Sequence, residues 1–139
     1  MTNSINDGTI LAGRLLLSTL FLVFGWRKLK DYSGTVRQII QLGGPVPKLA
    51  AAVSIFMELP VAFAVAVGAF TRVAALLLVA YALGTALIGH RYWTIIGVDR
   101  VDSMDGFYKD LSIMGGFLLL YISGAGRYSI DALWGIAAP

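Results

Sequence analysis

The 139-residue chain has no cysteine and a single histidine, His90. Without cysteine it holds no disulfide framework, iron–sulfur cluster, c-type haem attachment or thiol–disulfide exchange. One histidine excludes two-histidine haem ligation within a monomer. Charge is scarce as well: 14% of residues are charged and the mean hydropathy is +0.77, whereas a soluble domain carries about 25% charged residues. No metal site is expected, because one histidine and no cysteine leave only carboxylates. Asp99, Asp102 and Asp105 lack the glycine and the terminal glutamate of a calcium loop. A phosphate-binding glycine loop, a dinucleotide fingerprint and a nucleophile elbow are also missing, so no nucleotide cofactor and no side-chain triad are expected. The net charge of +3 is no nucleic-acid footprint, since the basic residues are scattered near the ends of apolar runs, where membrane anchoring uses them.

Long apolar runs are what the chain does have. They predict an all-α transmembrane four-helix bundle, one domain over residues 1–139, with spans at about 9–27, 47–68, 71–90 and 107–123. The opening MTNSINDG lacks a basic n-region and the next run carries Arg14, so that run is expected to be a retained first helix rather than a cleaved signal. Between the first two spans, LKDYSGTVRQIIQLGGPVP places Tyr32, Val36, Ile39 and Ile40 on one face and predicts a short interfacial helix stopped by Gly43, Gly44 and Pro45. Spans two and three are joined so tightly around 68–70 that they form a hairpin. RYWTIIGVDRVDSMDG, residues 91–106, reads as a polar loop. Ala80 with Gly84, and Ser112 with Gly116, are small pairs four apart that suit close helix packing.

The two longer loops share one end of the bundle, the loop side. They carry Arg27, Lys28, Lys30, Arg37, Lys48, Arg91, Arg100 and Lys109; the opposite, terminal side has Arg14, Arg72 and Arg127. This asymmetry predicts a multi-pass protein of the bacterial inner membrane with both termini outside. Aromatic residues suit two interfacial belts, Trp26, Tyr92, Trp93, Phe107 and Tyr108 against Phe70, Tyr121, Tyr128 and Trp134.

Residues 49–71 are twenty-three residues with one charge, Glu58. A carboxylate near the hydrocarbon centre costs about 3 kcal/mol on insertion scales, so it needs a cation, a proton or both. Arg14 is the first candidate partner and Arg72 the second, since both enter from the terminal side. Pro60, two residues on, donates no hydrogen bond and frees the Phe56 carbonyl. These groups form either a register-fixing ion pair or a site for a ligand or proton. A second polar cluster, Lys28, His90, Lys109 and Asp110, is expected at the loop side, where a histidine suits proton relay.

The polar residues follow a recognisable order. Arg14 precedes FGWRKL with Gly25 and Lys28; Glu58, Thr71–Arg72 and His90 follow; FYKDL opens span four and GAGRYSID closes the pattern at 124–131. This resembles the DoxX family of small bacterial membrane proteins over nearly the whole chain. Asp110 stands where the family commonly has asparagine, and Ala125 where it often has proline. The resemblance implies a four-helix membrane bundle linked to redox chemistry, because some relatives are subunits of a quinone-reducing oxidoreductase. It therefore implies a quinone as the one expected cofactor, an oxidoreductase partner and the lipid bilayer as environment, with homo-oligomerisation open. A scaffold docking a soluble partner through the amphipathic segment and the acidic loop, and a conduit for a small solute or protons, are the alternative readings.

Overall fold

The computed structural model describes residues 2–136; Met1 and residues 137–139 of the 1–139 domain lie outside them. Described secondary structure is all helical, without strands. Helix α1 runs Thr2–Lys30, α2 Tyr32–Gln41, α3 Pro47–Phe56, α4 Ala62–Val67, α5 Thr71–Ile88, α6 Asp99–Ser123 and α7 Ile130–Leu133. A π-helical turn, Met57–Val61, joins α3 to α4 into one rod. Three segments are long and apolar enough to cross a membrane: Asn3–Lys30, Pro47–Val67 and Thr71–Thr94.

Helix α6 departs from the expected span 107–123. It starts at Asp99, so the three aspartates assigned to a loop occupy its opening turns. The physical reason is the helix dipole: Asp99 and Asp102 sit in the first turn, where the partial positive charge of the N-terminus favours acids. Helix α2 is the short amphipathic helix expected between the first two spans. Asp31 caps it by accepting the Gly34 amide at 3.0 Å, and the Tyr32 hydroxyl donates to the Lys48 carbonyl at 2.8 Å, tying α2 to α3.

The turn from α4 to α5 takes three residues, Gly68 to Phe70. Gly68 closes α4 in the left-handed region at φ 75°, which glycine adopts without penalty. Helices α4 and α5 are thereby antiparallel neighbours, with α6 packed along α5.

Large residues face outward and small ones inward. Leu16, Leu119 and Ile122 are about three-quarters exposed, and Phe56, Phe63 and Leu118 also point away from the core. Inside lie Ala51, Ala62, Ala74, Ala75, Ala82 and Ala86 with Phe21, Val65, Leu78 and Phe117. In lipid the solvent is as apolar as leucine, so helices associate through close backbone approach and packing instead of burying bulk. The contact stripe of α5 is Ala74, Leu78, Ala82 and Ala86, spaced by four. The small pairs singled out in the sequence are not that stripe: Ala80 and Ser112 are exposed, nothing approaches Gly84, and only Gly116 meets a neighbour, Leu17.

Ala75 is fully buried. Ala75→Leu is expected to overpack the bundle and destabilise it by about 1–3 kcal/mol, while Ala80→Leu on the outer face stays near neutral. Unfolding of both variants in detergent micelles checks the contrast; equal effects would refute the assignment of faces.

Candidate functional site

Helix α1, the π turn and α5 meet at Glu58. Its side chain is 4% exposed and its Oε1 accepts from the Lys28 ammonium at 2.6 Å. The same oxygen accepts from the Tyr81 hydroxyl at 2.5 Å, and Lys28 Nζ lies 3.4 Å from that hydroxyl. The other carboxylate oxygen, Oε2, is buried without a hydrogen-bond partner among the described residues. Phe21 packs against Tyr81 with ring centroids 6.3 Å apart and against Phe117 at 5.7 Å, an apolar wall on one side of the triad.

Two local features place Glu58. Pro60 has no amide hydrogen, and the backbone passes it by widening its ladder: the Ala62 N–H donates to the Met57 carbonyl, five residues back. Opposite, Gly25 lets α1 approach the turn directly. A Cβ on Gly25 would stand 2.8 Å from Glu58 Cβ and 3.0 Å from its carbonyl carbon, so no larger residue fits without displacing backbone.

The partner of Glu58 is therefore Lys28, and the ranking of Arg14 then Arg72 is corrected. In helices the Cα–Cβ bonds tilt toward the N-terminus. Helix α1 starts at the terminal side, so Arg14 leans away from mid-bundle while Lys28 leans down into it. The α3–α4 rod runs the opposite way, so Glu58 leans up toward Lys28. Axial distance from the terminal side, about 1.5 Å per residue, misses this because it ignores direction. Tyr81 carried a legible signal that went unread: it lies ten residues after Thr71, and Glu58 lies ten before Gly68, which puts both at one depth on the two arms of a tight hairpin.

Arg14 is 1% exposed and serves the terminal end. It donates to the Ala125 carbonyl, to the Tyr128 carbonyl at 2.7 Å and to the Ala66 carbonyl at 3.5 Å. Asp131 completes a clasp, its two oxygens accepting the amides of Phe70 at 2.7 Å and Thr71 at 2.9 Å. It caps α5 from another segment of the chain, while its own amide donates to Gly68 at 2.8 Å. The run at 124–131 thus fastens the last segment over the α4–α5 turn. Arg72, exposed on the first turn of α5, lies over Gly124 and not beside Glu58.

The loop-side cluster divides. His90 Nδ1 meets Asp110 Oδ2 at 2.8 Å, joining the end of α5 to α6, with Gly106 against the imidazole ring. Lys109 instead sits over the Phe24 ring at 5.7 Å and Arg27 over the same ring at 5.8 Å, while Lys28 belongs to the Glu58 triad. A cavity of about 550 Å³ opens above Lys28, lined by Phe24, Arg27, Lys30, Asp31 and Gln38 among others. No group of three or more potential metal ligands occurs among the described residues.

The DoxX family model matches residues 9–91, a segment that contains Lys28, Glu58 and Tyr81. The chain belongs to the DoxX family. It is similar to the inner membrane protein YphA of Escherichia coli K12, 43% identical over 122 residues that cover 88% of this chain and 87% of that protein. It is also similar to the inner membrane protein YqjF of the same organism, 36% identical over 129 residues covering 93% and 94%. No solved structure matches the chain. Membership of the DoxX family, three apolar helices of membrane length and these two relatives make it an integral inner-membrane protein.

Breaking a buried pair leaves one charge uncompensated. Lys28→Met is expected to cost about 3 kcal/mol of stability, and adding Glu58→Gln should restore most of it. Unfolding of the two single variants and the double in detergent tests the pair; additive losses would show that the two residues do not interact.

Proposed function

We propose that this DoxX-family protein crosses the inner membrane four times and uses the Lys28–Glu58–Tyr81 triad to bind the carbonyl end of a quinone-type ligand and exchange a proton with it, within an oxidoreductase assembly. One observation carries the reading: Glu58 is buried, one oxygen is held by a lysine and a tyrosine, and the other has no hydrogen-bond partner among the described residues. Intramembrane ionisable groups are functional sites by default. A carboxylate held through one oxygen keeps the second for a proton, and once protonated it donates a hydrogen bond to a ligand carbonyl. Lys28, 27% exposed, links the carboxylate to the loop-side cavity and gives protons a path to water. With no cysteine for a thiol couple, the chain supplies binding, orientation and protons, and the partner supplies electrons.

The fourth crossing in this reading is α6. It lies along α5, and Leu118, Leu119 and Ile122 point outward as lipid-facing residues do. The excess of lysine and arginine at the loop side puts that side in the cytoplasm and both termini outside. Helix α2 then lies in the cytoplasmic interface, and the cavity above Lys28 opens to the cytoplasm.

A scaffold role is favoured by a different observation: Arg37 and Gln38 on α2, and Asp99, Asp102 and Asp105 on α6, all face outward at the loop side and suit a soluble partner. The two readings separate in one experiment. Titration of the purified protein with decylubiquinone, followed by tryptophan fluorescence, is expected to show binding that Glu58→Gln and Tyr81→Phe each weaken about tenfold, the loss of one hydrogen bond to a charged or polarised group. Equal affinity in wild type and Glu58→Gln would reject the quinone site and leave the scaffold.

A further inference from the structure

Three basic residues at one corner of the loop side have no counter-anion among the described residues. Arg27 and Lys30 line the cavity above Lys28, and Lys109 reaches the same corner from α6. All three are exposed, and none forms an ion pair among the described residues. Arg27 and Lys109 lean over one ring, that of Phe24, at 5.8 Å and 5.7 Å from its centroid. A ring attracts a cation without neutralising it. Like charges drawn to one ring from two helices repel each other, and an anion beside them removes that cost.

The helix seam puts Lys109 there. Leu17 of α1 meets Gly116 of α6. Phe24 lies seven residues after Leu17, and Lys109 seven before Gly116. Seven residues are about two helical turns, so the antiparallel seam that holds Leu17 against Gly116 also brings Lys109 to Phe24. The apolar segment Asn3–Lys30 ends at Lys30, which sets Phe24 about 9 Å inside that end, where hydrocarbon gives way to headgroups. Trp26 and Leu29 are each about half exposed and offer an apolar surface to acyl chains below this level.

Opposing charge is sparse at this corner. The cavity wall holds one carboxylate, Asp31, whose Oδ1 accepts the Gly34 amide as the cap of α2. Lys28, in the same wall, is held by Glu58 and is left out of the binding set. Basic side chains beside an aromatic residue at the end of a span suit the acidic headgroups of a bilayer. An arginine engages a phosphoryl oxygen pair through its forked donors, and lysines add point charges.

We propose that Arg27, Lys30 and Lys109 bind the phosphoryl group of an acidic phospholipid at the loop-side membrane interface, beside the Phe24 ring. Bound there, the headgroup ties the end of α1 to α6, where the two helices otherwise meet through cations on a shared ring. The site is separate from the Lys28–Glu58–Tyr81 triad and stands whether or not that triad binds a quinone.

Thermal unfolding of the protein in neutral detergent micelles tests this with three additives: dihexanoyl phosphatidylglycerol, dihexanoyl phosphatidylcholine and sodium phosphate. The midpoint is expected to rise and saturate with phosphatidylglycerol, and to move little with phosphatidylcholine, whose choline balances the phosphoryl charge, or with free phosphate at equal concentration. The double variant Arg27→Gln/Lys109→Gln changes exposed positions, so unfolding without additive stays close to wild type. Its half-saturating concentration of phosphatidylglycerol is expected to rise at least about tenfold. Lys30→Gln, at a side chain that only lines the cavity, is expected to weaken binding in the same direction and carries the test should the double variant fail to fold. Arg37→Gln removes an exposed cation of α2 outside the cavity wall and is expected to bind as wild type does. No rise with phosphatidylglycerol, an equal rise with phosphatidylcholine or free phosphate, or a loss in Arg37→Gln as large as in the cavity variants would overturn the proposal.

Discussion

A carboxylate inside hydrocarbon cannot be left to water, and the centre of this protein is organised around that constraint. Glu58 is met by a lysine from α1 and a tyrosine from α5. Three further features make the meeting geometrically available. Gly25 lets α1 come to backbone contact with the π turn. The π turn carries the rod past Pro60 without ending it. The alanine stripe of α5, with Leu78 and Phe117 beside it, brings that helix and α6 close enough for Phe21 to wedge against Tyr81. Enlarging one of the small residues or straightening the turn would separate the three groups, and the charge would then be stranded in a medium that cannot solvate it.

The terminal end solves the companion problem, that of backbone groups. A hairpin turn of three residues leaves amides at the start of α5 and carbonyls at the end of α4 exposed to an apolar surrounding. Asp131 takes the amides, and Arg14 takes the Ala66 carbonyl of α4 and two carbonyls of the covering segment. Both are ionisable side chains whose hydrogen bonds go to backbone dipoles. Charged residues of a membrane protein thus serve two chemistries here, ion pairing at mid-depth and backbone satisfaction at the end, and burial alone does not tell them apart. Arg14 is as buried as Glu58, yet its hydrogen bonds go to three backbone carbonyls whereas those of Glu58 join two side chains.

Much of this was legible in the sequence. The long spans, the tight hairpin at 68–70, the amphipathic helix after Asp31 and the need of Glu58 for a partner follow from hydropathy, spacing and turn residues. The order of polar residues pointed to the DoxX family, and the family match over 9–91 bears that out. The start of α6 is not legible from polarity, because a helix N-terminus accommodates acids as readily as a loop does. The partner of Glu58 was misjudged because depth along an axis is only half of a side chain's position. Lys28 looked like an anchoring residue at the end of a run, and nothing local distinguishes a lysine that points to water from one that bends inward.

Composition and periodicity determined by themselves that this chain is helical, lies in a membrane and carries an acid that must be answered, because those facts rest on one-dimensional quantities: transfer free energy, helical rise and the energy of a lone charge in lipid. Tertiary structure alone decided which cation answers it, that Tyr81 shares the task, that Arg14 and Asp131 serve the backbone, and that Arg72 lies over Gly124, away from Glu58. Those outcomes depend on the direction of side chains on antiparallel helices and on which helices touch. Neither is a property of any segment taken alone.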